Sequence, residues 1–119
     1  MQTVAPNTGP FATEADALDG VLRRLVDELD PEAIWLFGSR ASGRSRPDSD
    51  FDLLVVTKTS DGELATDYDR VYAPILGLGV GCDVVPCPIT DFLLEKDKPT
   101  SFVHEIVRTG RKLYDRRQG

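Results

Sequence analysis

Leu18, Leu22, Leu25 and Leu29 recur at steps of four, three and four, with Val21 and Val26 beside them, and line one face of a helix that ends near Pro31. Thr13, followed three residues later by Asp16, has the pattern that caps such a helix at its start. The next apolar run, AIWLF, is short and closed by Gly38, which predicts a buried strand and then a polar loop reaching Ser49. In FDLLVVT, Leu53 to Val56 are apolar on both alternating faces, as expected of a central strand that helices cover on one side and neighbours on the other. Leu64, Tyr68, Val71, Tyr72 and Ile75 return to helical spacing over 63–78, with Asp61 able to cap the segment and Pro74 placed to kink its end. A third strand is predicted over 80–85, started by Gly79 and Gly81 and stopped by Pro86 and Pro88. Helices follow over 90–95 and 99–108, the second with Phe102, Val103, Ile106 and Val107 inward and Gly110 past its end, and 112–115 predicts an edge strand. This order gives an α/β (α+β) class: a small mixed β-sheet with helices packed on one face.

At 119 residues the chain makes one domain, expected over 11–115, with a disordered lead-in over 1–10 and a basic tail over 116–119. A chain of this size buries roughly two thirds of its unfolded surface, enough for a core without disulfides or structural metal. Cys82 and Cys87 are an odd number of residues apart, so on one strand they point to opposite faces and cannot bridge. They are expected to be reduced, which fits the cytoplasm. No apolar run approaches about 18 residues, and the first ten residues lack the features of a secretion signal, so a soluble, intracellular protein without membrane contact is expected. With 14 Lys and Arg against 20 Asp and Glu, the net charge of -6 disfavours gripping a nucleic-acid backbone. Positive charge is local: Arg40, Arg44 and Arg46 share one loop, and Arg111, Lys112, Arg116 and Arg117 crowd the end of the chain. His104, the sole histidine, has no second metal-type ligand at helical spacing and reads as a surface or packing residue.

Chemistry concentrates in GSRASGRSRPDSDFDLLVV, residues 38–56. Directly after a strand, Gly38 lets backbone amides approach an anion, and the Ser39 hydroxyl can donate to a phosphate oxygen. Asp50 and Asp52 stand where the second strand begins; alternate strand residues share a face, so their carboxylates project together and repel unless a cation joins them. Carboxylate and phosphate oxygens are the ligands that Mg²⁺ prefers. Asp83 lies in an otherwise apolar strand, where an unpaired carboxylate is costly and a partner is expected: a metal or a loop arginine. Each piece alone also reads as a turn or a structural acid. Together, three carboxylates from two strands can hold two Mg²⁺ ions roughly 4 Å apart.

Gly38-Ser39, ten intervening residues, Asp50-x-Asp52 and a later strand aspartate resemble the nucleotidyltransferase fold shared by DNA polymerase β, aminoglycoside nucleotidyltransferases and, nearest in size, the minimal nucleotidyltransferases of prokaryotes. The resemblance spans about 15–114. It implies that Gly38 and Ser39 bind the β and γ phosphates of ATP, that Asp50 and Asp52 bridge two Mg²⁺ ions, and that Asp83 holds the catalytic one. Arg40 is the arginine expected to neutralise the triphosphate. Minimal members are often encoded beside a helical HEPN-family toxin and add AMP to a tyrosine of it, so the resemblance implies an antitoxin that silences its partner by adenylylation. Two other readings stay open: a non-catalytic module that acts by occlusion, and a small-molecule nucleotidyltransferase working as a homodimer whose acceptor pocket forms between subunits; a homo-oligomer is possible in any case.

Overall fold

The Thr13 hydroxyl accepts the backbone N–H of Asp16 at 3.1 Å and starts α1, Glu14–Leu29, the helix that the leucine spacing predicts. Ala17, Val21, Leu25 and Leu29 form its buried stripe. The structure is a computed structural model that describes residues 5–118. Its strands are β1, Ala33–Phe37, β2, Phe51–Thr57, β3, Cys82–Pro88, and β4, Arg111–Asp115, in the order β3-β2-β1-β4. β1 is antiparallel to β2 and β4, and β2 is parallel to β3. The class is the predicted one, a mixed sheet with helices, and β2 is interior as its two-sided apolar run requires.

That same run decides where the helices go. Leu53 and Val55 of β2 face α1, Val71 and Ile75. Leu54 and Val56 face Phe92 of α4, Ile89–Glu95, and Val103 and Ile106 of α5, Phe102–Thr109. Helices therefore lie on both faces, not on the one expected, because each apolar face of β2 must be kept from water. Cys82 packs on the first face and Cys87 on the second, as their odd spacing predicts, and both are free thiols.

Two elements differ from the pattern. The helix expected over 63–78 is broken into a 3₁₀ segment, Thr59–Thr66, a five-residue α3, Tyr68–Tyr72, and a 3₁₀ turn at Ala73–Ile75. Gly62 interrupts the first piece at φ 60, and Asp67, not Asp61, caps α3 by accepting the Arg70 N–H at 3.1 Å. Asp61 instead pairs with the Arg70 guanidinium at 3.1 Å. β3 also runs through Pro86 to Pro88 where a stop was expected. It is an edge strand, so a proline lacking its N–H on the open side breaks no ladder bond.

The segment expected to be a disordered lead-in is packed from residue 5 onward. Asn7 donates its amide to the carbonyls of Ser49 at 2.9 Å and Gly81 at 2.8 Å, and accepts the Gly81 N–H at 2.6 Å. Residues 1–4 lie outside the described ones. So does Gly119 of the expected basic tail, whose Arg116 is tied to Asp30 at 3.1 Å and to Glu32 at 3.2 Å. Among the described residues, no helix is long and apolar enough to cross a membrane.

Candidate active site

β1 delivers the chain to Gly38 directly beside Asp52, since Phe37 and Asp52 are register partners. Gly38 turns at φ 73 and ψ -152, and a Cβ there would collide with Asp52 Oδ2. Only glycine satisfies both demands. The chain then makes a single helical turn, α2, Ser39–Ser42, and Gly43 ends it at φ 77. Gly38 and Ser39 thus form a turn between β1 and α2 that packs against the Asp52 carboxylate.

β2 and β3 supply the acids. Asp52 and Asp83 are register partners in the parallel pair, so they are neighbours about 4.8 Å apart along the hydrogen-bonding direction and share a face. Asp50 precedes β2 by one residue, and its Oδ1 occupies the space that a Cβ on Gly81 would need. Among the described residues none of the three carboxylates has an ion-pair partner. Partial burial pushes the Asp52 carboxyl above the ordinary carboxylate range, and the Asp83 and Asp50 charges push it further. A crowd of hard, uncompensated oxygen donors is the chemistry that suits a divalent cation. The side chains do not close into a cage: among the described residues, no three acidic, histidine or cysteine groups surround a point that a metal ion could occupy. The donor set fits the metal, and substrate oxygens would have to complete its shell.

Asp83 differs from expectation in one respect. It is exposed near the start of the edge strand, so burial cost does not force it to take a partner. What links it to Asp52 is register and the charge that register brings close. Cys82, between the acids, is pushed up to about 12 by burial and then by the Asp50 and Asp52 charges, which leaves it protonated and unreactive.

Arg40 is corrected. Its guanidinium donates to the Ser49 carbonyl at 2.7 Å and the Pro47 carbonyl at 3.1 Å, pairs with Glu14 at 2.9 Å and lies 4.4 Å from the Phe51 ring centroid. With its side chain 5 % exposed, it holds the 44–49 loop. Asn7 does parallel work, joining Ser49, just before Asp50, to Gly81, two residues before Asp83. Sequence reasoning missed it because its partners are 42 and 74 residues away.

Two depressions adjoin these residues. One of about 480 Å³ is lined by Phe37, Gly38, Arg44, Phe102, Glu105 and Arg108 among others, on the sheet face that carries Asp52. The larger, about 710 Å³, lies beneath Tyr68, Tyr72 and Leu76 and touches Asp83, but its floor of Cys82 and Val84 belongs to the opposite face. The smaller one is therefore the one that adjoins Gly38 on the carboxylate face.

Residues 21–119 match the family described as polymerase beta, nucleotidyltransferase. The chain belongs to that family. Its membership supports nucleotidyl transfer in general as the activity. The fold is also that of the crystal structure of a toxin-antitoxin with AMP-PNP, at TM-score 0.53 and 21% identity, over 84% of this chain and 74% of that one. A protein of Sulfolobus solfataricus put forward as a nucleotidyltransferase is similar at TM-score 0.51 and 24% identity, over 92% of this chain and 96% of the other. No curated protein sequence matches the chain.

Proposed function

We propose that this nucleotidyltransferase moves AMP from ATP onto a hydroxyl of a partner protein, and that the partner is a HEPN-type toxin which the transfer silences. The observation that carries the reading is the Asp52 and Asp83 register pair with Gly38 packed against Asp52, which puts the turn at Gly38 and Ser39 beside paired carboxylates. The solved relative containing a toxin-antitoxin with AMP-PNP supports a toxin partner and an adenine nucleotide substrate.

Gly38 and Ser39 hold the β and γ phosphates. Asp50, Asp52 and Asp83 are the residues that would hold magnesium, which when bound would lower the pKa of the acceptor hydroxyl and offset charge on the departing pyrophosphate. The acceptor oxygen attacks the α-phosphorus in line, the new O–P bond forms, and the bond to the β-phosphate oxygen breaks. Asp83, exposed at the sheet edge, takes the hydroxyl proton. Free, protonated thiols and an ATP substrate fit a cytoplasmic setting.

The test is incubation with labelled ATP, magnesium and the product of the adjoining gene. Label on that protein with wild type and none with the Asp50→Asn, Asp52→Asn pair is the expected result. A double variant that still suppresses the toxin would favour occlusion, and label on a small molecule without any partner protein would favour the antibiotic-type reaction.

A further inference from the structure

With Arg40 sequestered, the cationic work at the phosphate seat needs another source. The 480 Å³ cavity beside Gly38 supplies one. Arg44, on the loop that leaves α2, and Arg108, near the end of α5, both line it. Sixty-four residues apart in sequence, they meet only because α5 crosses the carboxylate face of the sheet next to Phe37, where Phe102 packs edge-on against the Phe37 ring at 5.3 Å. Among the described residues the Arg44 guanidinium has no hydrogen-bond or ion-pair partner. Arg108 is held by Glu105 through contacts of 2.8 and 3.2 Å that use Nη2 and Nε, which leaves Nη1 to donate elsewhere. Among the described residues Glu105 is the one carboxylate that lines the cavity, so two cations face one anion there in a chain whose net charge is -6.

We infer that Arg44 and Arg108 form the seat for the terminal phosphates of the nucleotide, and so select a triphosphate over a monophosphate. The inference rests on the nucleotidyl-transfer reading and extends it. On that reading the α-phosphate lies near Asp52 across a bound cation, and Gly38 touches Asp52 and also lines the cavity, so a chain of phosphates leading away from the carboxylates over Gly38 ends among the two guanidiniums. Planar guanidinium groups suit phosphate oxygens, and their charge offsets what the three aspartates would otherwise repel. The same seat holds pyrophosphate as the leaving group.

Calorimetric titration with inorganic tripolyphosphate, MgATP and AMP tests this on the full chain. Arg44→Ala and Arg108→Ala should each weaken tripolyphosphate and MgATP roughly tenfold and leave AMP unchanged. Arg23→Ala is the control: it removes the same charge from α1, on the other side of the sheet, where Arg23 pairs with Asp19 at 3.1 Å. All three side chains are exposed, so melting curves should match wild type and exclude misfolding as the cause. Wild-type affinity for tripolyphosphate in both cavity variants, equal weakening by Arg23→Ala, or no binding of tripolyphosphate by wild type would each overturn the seat. If the seat falls while wild type still binds MgATP and labels an acceptor, nucleotidyl transfer stands; if wild type binds no MgATP, both fall.

Discussion

Asp52 bears the electrostatic cost of the site. Its carboxyl is raised by partial burial and by the Asp83 and Asp50 charges, so ionising it opposes folding. A carboxyl with a raised folded pKa helps stability below its unfolded value, about 3.9, and that help is lost as pH rises through the folded value. Asp52→Asn should therefore melt at a higher temperature than wild type at pH 7, with the difference closing near pH 4. The same variant should lose transfer activity by more than about a hundredfold, since even residues that only support a metal ligand typically cost 10–100-fold. A variant that is less stable and still active would contradict both arguments. Arg40 separates in the opposite sense. Arg40→Lys keeps the charge but cannot reproduce the fork that spans Ser49 and Pro47, so about 1–3 kcal/mol of stability should be lost in urea unfolding. Nucleotide affinity of the fraction that remains folded should change little.

At the scale of elements, what could be read in advance followed periodicity, and what could not depended on distant partners. The leucine spacing gave α1 and the two-sided run of Leu53 to Val56 gave the interior position of β2, because both patterns are local records of which face meets the core. The break before α3 was hidden: Leu64, Tyr68 and Val71 keep helical spacing while Gly62 and the Asp67 cap divide the backbone. The passage of β3 through two prolines was hidden too, since only edge position makes it harmless, and edge position is a property of the sheet. In the site, Asp50, Asp52, Gly38 and Ser39 were legible because they are contiguous with β1 and β2, whereas the occupation of Arg40 required Glu14 and Phe51. The Asn7 clamp is the clearest gap. It links the loop before Asp50 to the start of β3, so Asn7→Ala should cost about 1–3 kcal/mol in urea unfolding through the unpaired groups left at Gly81 and Ser49. Activity should fall by more than the unfolded fraction explains, because the approach to both Asp50 and Asp83 loosens together.

Over the whole molecule, acid and metal should act through different carboxylates. Asp115, where β4 ends, is lowered to about 2 by its hydrogen bond from Lys112 and by the Arg117 backbone N–H. A depressed carboxyl contributes stability above its unfolded value and loses it as pH falls toward the folded one, so the Asp115 share disappears between about pH 4 and 2. Asp115→Asn should be less stable than wild type at pH 7, and the two melting curves should converge in that acid window. Divalent cations should act at the other pole. In a chain of net charge -6, Asp52, beside Asp50 and Asp83, is among the described residues the carboxylate whose acidity neighbouring carboxylates lower. Mg²⁺ binding there to the folded state alone would stabilise it by RT ln(1 + [L]/Kd), about 2.7 kcal/mol at a hundredfold excess over Kd. Magnesium chloride should raise the melting temperature of wild type above that in potassium chloride at equal ionic strength. The Asp50→Asn, Asp52→Asn pair should show no such difference, because the donors are gone while general screening is unchanged. Equal effects of the two salts on wild type would leave the carboxylates without a cation to hold, whatever their register.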